Sequence, residues 1–268
     1  MAQTQVQVAF TFDVDGEAPL ISMGEEWMAS SAVLGEARYG VRRGLVRILS
    51  LLEAEGIRST FFVPGWIAEQ YPREISRIQT GGHEIAHHGY LHKDAASLDG
   101  SEQIAELEKG LQALNNILSV RPIGYRAPNF SITDMTFRYL RDHDFLYDSS
   151  CMADDRPYVE GPDDAPILEL PVHWSLDDGV FYHWYPHTGG HLPGGSSLRD
   201  TWIAEFEIAK RERRLVTYTM HPHWTGRPYG VRMLEQVMAK MRESGAVEFV
   251  TLSEYAERHG AFGSAEAE

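Results

Sequence analysis

Four histidines fall within ten positions in Gly82-His83-Glu84-Ile85-Ala86-His87-His88-Gly89-Tyr90-Leu91-His92. His88 and His92 have a spacing at which two neutral imidazoles converge on one cation such as Zn, Fe, Co or Ni. A metal centre that does chemistry also needs a third ligand and an open position. Phe10-Thr11-Phe12-Asp13-Val14-Asp15-Gly16 offers carboxylates for this. Two carboxylates two residues apart on a strand point the same way, so one can bind metal while the other handles a proton. His83 and His87 alternate differently on a strand and read as packing or supporting residues.

Two more segments carry candidates. In Gly124-Tyr125-Arg126-Ala127-Pro128-Asn129-Phe130 the proline restricts Ala127 to extended conformations and fixes Arg126. An arginine beside Asp13 would hold it ionised and oriented. The run Tyr218-Thr219-Met220-His221-Pro222 ends an apolar stretch on His221, and a histidine there suits a proton donor. Each feature has a plain structural reading as well: a strand-end turn, surface histidines, a surface arginine before a bend, a capped core histidine. Trp27, Trp174, Trp184, Trp202 and Trp224 lie in or beside segments read as loops. Of these, Trp174 and Trp224 are the candidates to line a binding site, and most tryptophans are simply core.

The candidates sit at the ends of apolar runs. Val6, Val8, Phe10 and Phe12 alternate with polar residues and predict a first strand. Residues 17–40 read as a long loop. Val41, Leu45, Ile48, Leu49 and Leu52 predict a helix stopped by Gly56. Further strands are expected over 59–63, 84–86, 123–126, 167–170, 180–184, 215–220 and 247–250. Helices are expected over 66–80, 101–118, 133–143, 199–214, 229–243 and 252–258. Alternating strands and helices mean parallel strands with helical crossovers. The expected fold is α/β: a distorted (β/α) barrel with about seven parallel strands, one domain over 1–262, and a disordered tail at 263–268. In such barrels functional groups gather at the C-terminal strand ends, where Asp13, Asp15, His88, Arg126 and His221 fall.

The chain has 268 residues and a formal charge of −15. That charge argues against nucleic acid or an anionic membrane as partner. With Cys151 the single cysteine of the sequence, no intrachain disulfide forms. The N-terminus shows no basic n-region or long apolar h-region, and no stretch is long and apolar enough to span a bilayer. A cytoplasmic protein is expected.

With these segments together, the chain resembles the polysaccharide deacetylase family, the chitooligosaccharide-deacetylase-like metal-dependent amide hydrolases. Thr11-Phe12-Asp13-Val14-Asp15-Gly16 is similar to the family's first motif and the 82–92 segment to its second. Arg126-Ala127-Pro128 is similar to the third, and Tyr147-Asp148-Ser149-Ser150 to the fourth; His221 falls where the last motif places a histidine. The resemblance implies Asp15, His88 and His92 as ligands of a divalent metal, zinc first, with Co, Ni or Fe as alternatives. It implies Asp13 as base, Arg126 as its orienter, His221 as acid, a backbone N–H near Asn129 for the oxyanion, and a homo-oligomer. Three departures stand out. Val14 separates aspartates that are adjacent in much of the family. Asn129 stands where an aromatic residue often follows the proline. Segments 171–178 and 221–228 look more like the branch with cytoplasmic peptidoglycan-deacetylase-like and allantoinase- or cyclic-imidase-like enzymes. The expected activity is hydrolysis of a non-peptide carbon–nitrogen bond in a small-molecule or sugar amide. The alternatives are opening of a cyclic amide, imide or allantoin-type ring, and a metal-free carbohydrate-binding or scaffolding protein. A phosphatase, suggested by Phe12-Asp13-Val14-Asp15-Gly16-Glu17, leaves the histidine cluster without a role.

Overall fold

Strand β1 (Val6–Asp13) is buried along its whole length, as a parallel strand covered on both faces must be. A computed structural model of the chain describes residues 5–182, 195–245 and 247–259. Trp184 and the tail expected at 263–268 lie outside the described residues. After β1 come α1 (Ala18–Met23), α2 (Glu25–Met28), α3 (Ser31–Tyr39), a π turn (Gly40–Gly44) and α4 (Leu45–Glu55). Then follow β2 (Thr60–Val63), α5 (Gly65–Gln70), α6 (Pro72–Thr80), β3 (Glu84–His87), α7 (Gly100–Leu118), β4 (Gly124–Tyr125), α8 (Asp134–Asp142) and β5 (Tyr147–Asp148). The remainder is β6 (Tyr158–Glu160), β7 (Ile167–Glu169), α9 (Asp178–Tyr182), α10 (Gly195–Glu212), β8 (Leu215–Met220), α11 (Pro228–Glu243), β9 (Val247–Phe249) and α12 (Leu252–His259).

The strands form one sheet in the order β6-β7-β5-β4-β3-β2-β1-β8, with β9 also paired to β1. All pairings are parallel except β6 on β7. The sheet curls into a half-barrel wrapped by helices, one domain. Past β7 the chain returns to the free edge of β8 through a single parallel bridge, Asp177 to Thr219. A cavity of about 180 Å³ lies in the seam this leaves, lined by Pro171, Val172, Arg214, Val216 and Thr217.

Alternation along β1 sorts two layers. Val8, Phe10 and Phe12 join α4, α6, α10 and α11 in the outer core. Ala9 belongs to an inner cluster with Phe62, Ala86, Tyr147, Leu168 and Leu170, which α12 joins through Leu252, Tyr255 and Ala256. Thr11 and Asp13 share the parity of Ala9, so the acidic end of β1 faces the barrel interior.

Three expectations are corrected. Residues 17–40 are not a loop: α1, α2 and α3 have 6, 4 and 9 residues, too short to show a helical period. The 66–80 helix breaks at Tyr71, whose φ of −129° and ψ of 48° are non-helical because Pro72 follows. The strand expected at 180–184 is, as far as it is described, the end of α9. Among the described residues no helix is long and apolar enough to cross a membrane.

Candidate active site

The C-terminal ends of β1, β3, β4 and β8 bring the expected residues together. Asp15 Oδ1 lies 3.5 Å from His88 Nε2 and 3.7 Å from His92 Nε2. All three side chains are buried, and one ligand atom from each lies within 4.8 Å of the others. His88 Nδ1 is 2.7 Å from the Arg126 carbonyl. A carbonyl can only accept, so Nδ1–H is the donor there and Nε2 is the ring atom turned toward Asp15.

His92 adopts a left-handed backbone, φ 57°, which an L-residue holds only when its surroundings impose it. The surroundings are α7. Glu106 accepts the N–H groups of Tyr90 and Leu91. His87 donates Nε2–H to the Leu107 carbonyl at 2.9 Å and accepts the Gly89 N–H on Nδ1 at 3.0 Å. Burial pushes the His87 pKa down to about 4, so this brace stays neutral. Burial also lowers the His92 pKa, against the raising effect of Asp15, and a neutral imidazole is what a metal takes. Asp15 feels burial first, which raises its pKa. His92, His88 and His221 together pull it below the ordinary carboxylate value.

Asp13 lies beside this trio. Its Oδ2 is 3.9 Å from His88 Nε2, and its Oδ1 takes a 2.8 Å bond from Arg126 Nη1. Arg126 is fully buried, and three more of its donors are used. Nη1 also reaches Thr11 Oγ1, Nε reaches the Ser149 carbonyl at 2.9 Å, and Nη2 reaches Ser149 Oγ at 3.0 Å. The Phe62 ring lies 4.1 Å from the guanidinium carbon. A buried cation held in a rigid fork needs several such partners.

His221 stands opposite, with Nε2 3.7 Å from Asp15 Oδ2. Asp178 holds it: Oδ1 meets His221 Nδ1 at 2.7 Å, and the carboxylate also accepts the His221 backbone N–H and the Thr225 hydroxyl. Burial alone would lower the His221 pKa. The charge and hydrogen bond of Asp178, then Asp177 and Asp15, raise it well above the imidazole norm. Burial pushes Asp177 up to about 7, with His221 lowering it and Asp178 raising it.

Asn129 and Phe130 are both left-handed, φ 56° and 57°. Phe130 and Ser131 give their N–H groups to Ala127 and Pro128, turn bonds in which the Asn129 N–H takes no part. Phe130 meets Trp174 edge to face at 5.1 Å, and Trp174 is 48% exposed. Trp224 is instead buried behind His221, ring centroids 5.0 Å apart, and Trp202 is core. Sequence reasoning missed Asp178 and Glu106. The Asp177-Asp178 pair was visible as a paired acid, but nothing in its spacing tied it to a histidine 43 positions on.

A family model described as polysaccharide deacetylase matches residues 36–147. This range holds His88, His92 and Arg126. A curated peptidoglycan deacetylase of Helicobacter pylori is 24% identical over 94% of this chain and 96% of its own length. A peptidoglycan deacetylase-like protein of Gibberella zeae is 25% identical over 95% of this chain and 86% of its own. A solved structure from Mycobacterium smegmatis, assigned as a polysaccharide deacetylase, is 33% identical with a TM-score of 0.92, covering 99% of this chain and 96% of that one. An allantoinase structure, 21% identical over 99% of this chain and 93% of its own, has a TM-score of 0.84 and shares the fold.

Proposed function

We propose, from the premise that this chain belongs to the polysaccharide deacetylase family, that it is a metal-dependent hydrolase that removes acetyl groups from an N-acetylated sugar. Hydrolysis of a carbon–nitrogen amide bond follows from membership. The metal, the residue roles and the substrate are our reading. Full-length similarity to a peptidoglycan deacetylase supports an N-acetylated amino sugar of that type.

One observation carries the metal. Asp15 Oδ1 and His88 Nε2 are buried and have no hydrogen-bond partner. Polar atoms are not left desolvated and unpaired without cost. One carboxylate oxygen and two imidazole nitrogens fit zinc, with a fourth position open. Bound there, the cation would lower the pKa of water from about 15.7 toward about 7 and polarise a carbonyl. Asp13 would take the proton of the attacking water, aimed by its bond from Arg126. The Asn129 N–H would meet the developing oxyanion. His221, held charged by Asp178, would protonate the departing nitrogen. Trp174 would offer its exposed face to the sugar ring, and Trp224 would back His221.

The test is a panel of N-acetylated sugars, cyclic imides and allantoin, run with zinc-loaded and chelated protein. Acetate release from a sugar, abolished by chelation, is the expected result. Asp13→Asn should keep stoichiometric zinc and lose turnover by about 10²–10⁴-fold. A ring-opened acid without acetate would move the assignment to cyclic amides. A protein that binds no zinc, or an Asp13→Asn variant with full turnover, would end the mechanism.

A further inference from the structure

One helical segment touches both loops on which the proposed chemistry depends. It is α3, the π turn and α4, and the π turn is its irregular middle. Such turns are rare inside α-helices and gather at functional sites.

Two glycines of the turn lie against the loop that follows His221. A Cβ on Gly40 would fall 3.0 Å from the backbone nitrogen and Cβ of His223. A Cβ on Gly44 would fall 1.9 Å from the Pro222 carbonyl oxygen. The approach is mutual, since a Cβ on Gly226 would fall 2.3 Å from Gly44 Cα. This is backbone against backbone, which cannot yield as a side chain can. Just before the turn, Tyr39 donates its hydroxyl to the Gly226 carbonyl at 3.1 Å, and the Arg227 guanidinium lies 3.6 Å from the Tyr39 ring centre.

The same segment grips the turn that follows β1, directly after Asp13 and Asp15. Val41 lies against Gly16, where an added Cβ would be 3.1 Å from Val41 Cγ2. Gly16 holds φ 50°, a conformation suited to glycine. Arg38 donates to Glu17 at 3.0 Å, one residue further along.

We propose that the π turn Gly40–Gly44 is a positioning element that sets His221 against Asp13 and Asp15. It works by docking on both loops at once. This inference rests on the roles assigned above to those three residues. Proton transfer tolerates little displacement, and a 1 Å error can cost about 10²-fold in rate.

The test compares Gly44→Ala and Tyr39→Phe with Gly35→Ala, a control in the same segment whose added Cβ meets nothing within 4 Å. Each zinc-loaded protein is assayed on an N-acetylated sugar and on an aryl acetate ester, whose leaving group needs no proton. Gly44→Ala should lose about 10²-fold in kcat on the amide, with KM, zinc stoichiometry and ester turnover little changed. Tyr39→Phe should show a smaller loss with the same split, and it decides the matter if Gly44→Ala fails to fold. Gly35→Ala should match the parent. Equal losses on amide and ester, or no loss in either variant, would overturn the proposal. Histidine ring NMR signals give a readout free of activity: those of His221 should move in Gly44→Ala while those of His83 stay. A stationary His221 would refute the positioning role even in a protein that hydrolyses neither substrate, an outcome that by itself counts against the function and not the geometry.

Discussion

Asp178 gives His221 both a charge partner and a fixed ring orientation. Burial works against the imidazolium, and Asp178, Asp177 and Asp15 outweigh it, so the ring stays protonated beyond the usual histidine range. The sign follows for activity and for stability. An acid with a raised pKa is competent at neutral pH and fails as pH rises through that value. Its contribution to folding is complete below the unfolded-state value and fades over the same rise. Asp178→Asn keeps an acceptor for Nδ1–H but removes the charge. The alkaline limb of the kcat/KM profile should move toward acid by about one unit or more, equivalent to about 1.4 kcal/mol per unit. A limb that stays in place would mean that another group sets it. Residue type and spacing in the sequence were enough to single out His221, Asp13, Asp15, His88 and His92, because strand ends and a short histidine spacing are local patterns. The aspartate that tunes His221 comes from a distant segment, and local patterns carry no record of such a pairing.

At the scale of elements, the loop that carries His88 and His92, the histidines proposed to hold the metal, depends on α7. Glu106 ties down the backbone of Tyr90 and Leu91, while Gly110 lets α7 come so close that an added Cβ would meet the Gly89 carbonyl oxygen at 2.4 Å. Loosening this brace should act on the metal before it acts on the fold. Glu106→Ala is expected to weaken zinc binding by about 10–100-fold, the usual cost of losing a supporting partner. Competition titration against a chelator measures this, and unchanged affinity would show that the loop holds its shape unaided. The periodicity of α7 was plain in the sequence because the helix has 19 residues and a capping box, Asp99 with Glu102. The helices α1 to α3 were hidden for the opposite reason, since a helix of one or two turns leaves too few apolar positions to reveal a period. The antiparallel β6 was hidden because its three residues are partly exposed and lack the apolar run of a buried strand.

At the scale of the molecule, strand alternation revealed the parallel barrel but not its incompleteness. A seam between β7 and β8 is a property of how the sheet curls, which the order of elements does not encode. An open barrel gains from any link between its strand ends, and the proposed metal would join the chain after β1 to the chain after β3, on either side of β2. It would also bring positive charge to a site where Asp13, Asp15, Asp177 and Asp178 lie buried together, in a chain whose net charge is −15. Zinc should therefore stabilise the whole fold by mass action. At about 100 times the dissociation constant the gain is about 2.7 kcal/mol. For a chain of this size that corresponds to a rise in Tm of about 5–10 °C. Scanning calorimetry with zinc and then with excess chelator checks it. His88→Ala and His92→Ala should melt at one temperature under both conditions, while the parent protein should not. A parent chain with the same Tm in zinc and in chelator would mean that Asp15, His88 and His92 hold no cation that the folded state depends on.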